Sequence, residues 1–132
     1  MVKFKNRMIL CLGSNVEKEQ NIECAVNLLR THFVSICFSE PMITDPINCS
    51  SSESFLNQVA VLYSDQDATS VKAVLKQIER AIGRKPEDKS KGLIPIDIDL
   101  LQFNEIVLKE EDLHRAYVKQ GLLSIEKNQD CI

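Results

Sequence analysis

The sequence predicts a single α/β domain built on an antiparallel sheet, with its helices packed on one face. Three observations carry that expectation. Apolar residues recur at helical spacing in two windows, near residues 22–33 and 71–82. Around these lie short apolar or alternating runs of strand length, and turn-forming residues separate the two kinds of segment. The 132 residues, 44% of them hydrophobic, suffice to bury one core and are too few for two.

The first element is a short buried strand over Arg7–Leu12, closed by the turn and cap residues Gly13, Ser14 and Asn15. A helix over about Glu17–Thr31 follows. Its apolar face is Ile22, Ala25, Val26 and Leu29, running on to Phe33, and Glu17 and Glu19 stand near its start, where the helix dipole favours acids. Phe33–Ser39 alternates as a strand, and the polar stretch Glu40–Ser54 reads as a loop. Phe55–Tyr63 has the cleanest strand pattern, with Phe55, Asn57, Val59, Val61 and Tyr63 on one face and Leu56, Gln58, Ala60 and Leu62 on the other.

Thr69 is placed to cap a second helix with the apolar face Val71, Val74, Leu75, Ile78 and Ile82, ended by Gly83. The charged segment Arg84–Gly92 reads as a mobile loop. Ile96–Phe103 is a strand, turned by Asn104 and Glu105 into a partner strand at Ile106–Leu108. A short helix is expected over Ala116–Glu126, and the last six residues are expected to fray. The order strand, helix, strand, strand, helix, strand is the ferredoxin-like pattern, here with an added C-terminal piece.

A net charge of -3 and a pI near 5.4 argue against a nucleic-acid binder, which draws its affinity from excess Lys and Arg. The apolar stretch Met8–Leu12 is too short for a signal-peptide core or a membrane span, so a cytoplasmic protein without a membrane partner is expected. The five cysteines include no CxxC pair and have only two histidines beside them, which gives a zinc site little support. They are expected to be reduced and non-catalytic, with Cys11 and Cys37 acting as small core hydrophobes.

The sharpest chemical signal is Ile96-Asp97-Ile98-Asp99-Leu100-Leu101. A strand sends residues i and i+2 to the same face, so Asp97 and Asp99 point together while Ile96, Ile98 and Leu100 fill the core behind them. Neighbouring carboxylates repel unless a cation or hydrogen-bond donors neutralise them, and Mg2+ shared with nucleotide phosphates is a common solution. Taken alone, such a pair is also what an exposed edge strand looks like. The preceding segment supplies Arg84, Lys85, Lys89 and Lys91, cations of the kind that clamp transferring phosphates, though a charged run is also an ordinary solvated loop. Asn57 interrupts an apolar strand, and its inward amide must find partners, either in a neighbouring loop or in a polar heterocycle lying beside Phe55.

Gly13-Ser14-Asn15 after the first strand, Phe55-Leu56-Asn57 opening the long strand, Gly83-Arg84 ending the second helix and the Asp97–Asp99 strand occur together in one order and spacing. Over about residues 8–113 this set resembles hydroxymethyl-dihydropterin pyrophosphokinase. The resemblance implies ATP-dependent transfer of diphosphate to the hydroxymethyl group of a dihydropterin in folate biosynthesis, with ATP and Mg2+ as cofactors. It implies a monomer whose partners are small molecules. Asp97 and Asp99 then correspond to the magnesium-binding pair and, with Arg84, to the catalytic set. Phe55 and Asn57 correspond to residues that stack and hydrogen-bond the pterin, and Thr44, Pro46 and Ile47 to the loop closing the pocket. Glu79, Arg84, Lys89, Lys91, His114 and Arg115 are the nucleotide-binding candidates.

The chain also departs from the family pattern. Where the family has Arg-Trp-Gly-Pro-Arg-Thr, this sequence has Ser90-Lys91-Gly92-Leu93-Ile94-Pro95, so an arginine expected on phosphate is Ile94, and a second loop arginine is Pro86. The expected Pro-His and Arg-Gly pairs are replaced by His114-Arg115-Ala116-Tyr117 and Gln120-Gly121. The alternative function is therefore a catalytically impaired paralogue that keeps the pterin or nucleotide pocket.

Overall fold

The structure is a computed structural model and describes residues 3–45 and 54–127. Pro46 and Ile47, expected at the substrate pocket, lie outside the described residues, as do Cys49 and Cys131. Along the chain run β1 (Asn6–Ser14), α1 (Lys18–His32), β2 (Ser35–Phe38), β3 (Met42–Thr44), β4 (Phe55–Ser64) and α2 (Ala68–Ile82). A 3-10 turn over Pro86–Lys91 leads to β5 (Asp97–Phe103), β6 (Ile106–Val107), α3 (Glu110–Leu113) and α4 (Ala116–Lys127). No helix among the described residues is long and apolar enough to cross a membrane.

The strands form one antiparallel sheet in the order β2-β4-β1-β5-β6, with β3 also paired to β4. Without β3 and β6, the β2-β4-β1-β5 path is the ferredoxin-like arrangement that the element order predicts. Alternation decides which residues meet which layer. Met8, Leu10 and Leu12 of β1, Ala60 and Leu62 of β4 and Ile98 and Leu100 of β5 face α1 and α2 in the larger core. Ile9, Val59, Val61 and Leu101 point the other way and pack on Val118 and Ile125 of α4. The two ferredoxin-like helices thus share one face as expected, and the C-terminal piece forms a further layer on the opposite face. This explains why β1 and β4 are apolar on both sides.

Several boundaries differ from the sequence expectation for local reasons. The cap of α2 is Asp67 rather than Thr69, since its carboxylate accepts the Ser70 N–H at 2.8 Å. Gly83 closes α2 in the left-handed region, with φ 112°, as its place in the sequence suggests. The stretch read as a loop at 40–54 contains β3, three residues too short to show a period. The segment read as a mobile loop at 84–92 holds the 3-10 turn, and Asn15 ties its far end to β1. The Asn15 side chain donates to Gly92 O at 2.8 Å and accepts from Ile94 N at 2.7 Å, and its backbone N–H donates to Ile94 O at 2.9 Å. The four-residue α3 has no counterpart in the sequence pattern.

Candidate active site

The uncovered end of the α4 face forms a cavity of about 740 Å³. Sheet register explains its floor. Gly13 pairs with Asn57 on one side and Asp97 on the other, and Cys11 pairs with Asp99, so these residues form adjoining rows across three strands. Gly13 contributes no side chain, which leaves a hollow between the amide and the carboxylates. Thr44, Asp45, Phe55 and Asn57 line one end. Arg84, Ser90 and Ile94 form the wall after α2, and Lys76, Lys109, Asp112, Arg115 and Tyr117 complete the rim.

Asp97 and Asp99 do face the cavity together. Arg84 Nη1 donates to Asp97 Oδ1 at 2.6 Å, and Lys109 Nζ lies 3.5 Å from Asp99 Oδ1. Burial alone would push the Asp97 carboxyl up, but hydrogen bonds with Asp99 and Arg84 and the charges of Arg84 and Lys76 outweigh it and hold it below its ordinary value. Asp99 is pushed up to about 7, by burial first and then by the charge and hydrogen bond of Asp97, with Lys109 opposing. Burial disfavours the Arg84 charge, yet its bond to Asp97 and the charges of Asp97, Glu79 and Asp99 raise its pKa. The pair is therefore an anionic site that gathers cations.

No group of three or more His, Cys, Asp or Glu side chains is gathered as a metal cage among the described residues. Two adjacent carboxylates at an open cavity are the donor set of a hard cation that completes its shell with water and phosphate oxygens, and Mg2+ fits it. Cys11 does not fit a nucleophile's role. Burial pushes its thiol up to about 12, against a hydrogen bond with Tyr117, and Asp99 and Asp97 add to the effect, so the thiolate is suppressed.

At the other end, Asn57 is 6% exposed and its side-chain amide donates to Thr44 Oγ1, bridging β4 to β3. Phe55 stands at the cavity wall beside it. Not every nucleotide-binding candidate reaches the cavity. Glu79, 3% exposed, lies behind the wall, where it accepts from Ile98 N at 2.8 Å and contacts Arg84 at 3.1 Å and Lys76 at 3.3 Å. Lys91 is exposed outside the lining, and His114 caps the C-terminal end of α3 in solvent. Arg115 does line the cavity, held by Asp112 at 3.1 Å and Glu111 at 3.6 Å. The side chain of Lys89 lies outside the described residues.

Lys76, Lys109, Cys11 and Tyr117 are cavity residues that the sequence pattern does not single out. Two of them carried a signal. Cys11 is two residues before Gly13 on a strand and so shares its face, and Lys76 lies one helical turn before Glu79. Lys109 reaches Asp99 because the chain folds back after β6, with Leu108 N and Lys109 N both donating to Leu101 O.

Comparison with known proteins finds relatives of one kind. Relatives include the 2-amino-4-hydroxy-6-hydroxymethyldihydropteridine pyrophosphokinase of Helicobacter pylori (strain ATCC 700392 / 26695), 29% identical over 120 residues, covering 88% of this chain and 74% of that protein. The folate synthesis bifunctional protein of Arabidopsis thaliana is 27% identical over 136 residues, which cover 93% of this chain but only 28% of that protein. Among solved structures, the C-terminal domain of the MgtC protein from Mycobacterium tuberculosis aligns with a TM-score of 0.44 at 6% identity, over 76% of this chain and 92% of that one, too distant to carry an argument. The family model for 7,8-dihydro-6-hydroxymethylpterin-pyrophosphokinase matches residues 9–127, nearly the whole chain. The cavity, its paired aspartates and the amide at its far end therefore lie in a member of the 7,8-dihydro-6-hydroxymethylpterin-pyrophosphokinase family, and the chain is a pyrophosphokinase.

Proposed function

We propose that this chain transfers the terminal diphosphate of ATP to the hydroxymethyl oxygen of a dihydropterin. The acceptor oxygen bonds to the β-phosphorus as the bond from that phosphorus to the α,β-bridging oxygen breaks. AMP departs, and the hydroxyl proton is released to solvent. The observation that carries this reading is the sharing of one cavity by the Asp97–Asp99 pair with Arg84 and by Asn57 with Phe55, with only Gly13 between them in the sheet.

Phe55 offers a ring face and Asn57 a fixed amide to a flat, hydrogen-bonding heterocycle, while Thr44 holds that amide in place. Asp97 and Asp99 would hold Mg2+, which when bound neutralises phosphate charge. Arg84, with Arg115, Lys76 and Lys109 around the rim, supplies further positive charge to the polyphosphate. No side chain acts as a nucleophile. Holding acceptor and phosphate in line and neutralising charge supply the rate.

One observation favours a second reading, in which the protein binds pterin or nucleotide with impaired turnover. Ile94 stands at the cavity wall, where the family pattern has an arginine, and offers neither charge nor side-chain donor. An assay of AMP release with the full chain, ATP, Mg2+ and 6-hydroxymethyl-7,8-dihydropterin separates the two. AMP release that falls roughly a hundredfold or more in Asp97→Asn supports transfer. If wild type releases no AMP while dihydropterin binds in an Asn57-dependent way, transfer is wrong and the binding reading stands.

A further inference from the structure

Arg84 Nη1 faces three acceptors at once: Asp97 Oδ1 at 2.6 Å, Glu79 Oε2 at 3.1 Å and Ile96 O at 3.3 Å. A guanidinium nitrogen has at most two hydrogens to share among them. The two acids differ in kind. The Asp97 side chain is 37% exposed and faces the cavity, whereas that of Glu79 is 3% exposed, lies outside the cavity lining and is held by the Ile98 N–H and by Lys76 from the rim. A cation arriving from the cavity can compete for Asp97 and cannot reach Glu79.

We infer that Arg84 is an exchangeable internal cation, seated on Asp97 until a divalent cation takes that carboxylate, with Glu79 as the positioning residue that keeps the guanidinium at the cavity wall. The inference rests on the assignment of Asp97 and Asp99 as the divalent-cation pair. Lys109 plays the simpler part at Asp99. It is 3.5 Å away with its side chain 48% exposed, and it can swing into solvent. Arg84 cannot leave in that way, because its side chain is only 23% exposed and a second buried acid lies within reach.

Two consequences follow from the geometry. Without nucleotide, the protein's own cations compete with a divalent ion, so the pair binds a free ion weakly. With a polyphosphate present, the displaced guanidinium gains anionic oxygens as partners, so ion and nucleotide each strengthen the binding of the other by the same factor. A pair that filled readily with free metal would lack this coupling.

The test uses the full chain without nucleotide, with Mn2+ as a spectroscopic probe that shares the oxygen preference of Mg2+. Arg84→Met removes the internal cation and leaves Glu79 paired with Lys76. It is expected to raise Mn2+ affinity about tenfold or more and to lower the metal-free melting temperature, with the loss recovered at saturating Mn2+. Glu79→Gln keeps an oxygen for the Ile98 N–H but removes the alternative charge, and it is expected to weaken Mn2+ binding several-fold. Unchanged or weaker Mn2+ binding in Arg84→Met, or binding at or above the wild-type level in Glu79→Gln, overturns the inference. The double variant Arg84→Met/Asp97→Asn distinguishes its failure from that of the reading beneath it. Tight Mn2+ binding that survives in the double variant places the ion elsewhere and overturns both, whereas loss there with no gain in Arg84→Met overturns the exchange alone.

Discussion

A carboxylate buried as deeply as Glu79 is kept in the fold by its partners: a backbone N–H at 2.8 Å, a guanidinium at 3.1 Å and an ammonium at 3.3 Å. Its contribution is best read from what its removal leaves behind. Glu79→Ala strands the Ile98 N–H and leaves Arg84 with Asp97 as its remaining acid, a loss of about 1–3 kcal/mol in urea unfolding. Glu79→Gln retains an acceptor and costs less. If both variants unfold within about 0.5 kcal/mol of wild type, the acid is not a structural anchor. At this scale the sequence is readable where a short period suffices. Asp97 and Asp99 share a face because a strand has a period of two, and Asn57 stands out because its neighbours on the same face, Phe55 and Val59, are apolar. The place of Glu79 behind the wall is not readable, since its partners Arg84 and Ile98 meet it only after α2 packs on β5. Family resemblance marks Glu79 as a candidate and leaves open whether it touches the ligand or holds what does.

Among the elements, α2 shows how a cap is chosen. Thr69 and Asp67 both precede the apolar face, and both residue types can cap. Asp67 wins because its extended backbone directs the carboxylate to the Ser70 N–H. Hydrogen bonding by Ser70 holds the Asp67 carboxyl below its ordinary value. A depressed folded-state pKa means that the stabilisation is present above the unfolded-state value near 3.8 and is lost as pH falls through the lower, folded-state value. Asp67→Ala should therefore lower the melting temperature at neutral pH, and its gap from wild type should shrink in acid below that range. A gap constant from about pH 7 to about pH 2, an interval that spans the ordinary carboxylate range, would mean that the charge has no part in the cap. Long periodic elements such as β4, α1 and α2 are legible from their residues. The three-residue β3 and four-residue α3 are not, because elements so short are set by what they pack against.

Across the whole molecule, the sheet carries a helical layer on each face, and the candidate cavity opens where the α4 face leaves Asn57, Gly13 and Asp97 uncovered. That opening depends on how closely α4 approaches β4, and Gly121 fixes the distance. A Cβ there would lie 2.8 Å from Val59 Cγ2, 2.9 Å from Val59 Cβ and 3.2 Å from Ser39 Oγ. Val59 is fully buried between strand and helix and has no room to yield. Gly121→Ala gains about 1 kcal/mol of helix propensity but meets an overpacking cost of about 1–3 kcal/mol, and a clash with two atoms of a stiff, β-branched residue belongs at the upper end. A net loss of about 1–2 kcal/mol in chemical denaturation is expected. Val59→Ala alone is destabilising, because it hollows the core beneath α4. In the double variant Gly121→Ala/Val59→Ala the clash with Cγ2 is gone and only the 2.9 Å approach to Cβ remains, so the combined loss should be smaller than the sum of the single losses by at least about 0.5 kcal/mol. Strict additivity would show that α4 is seated by other contacts and that Gly121 is not what brings it against the sheet.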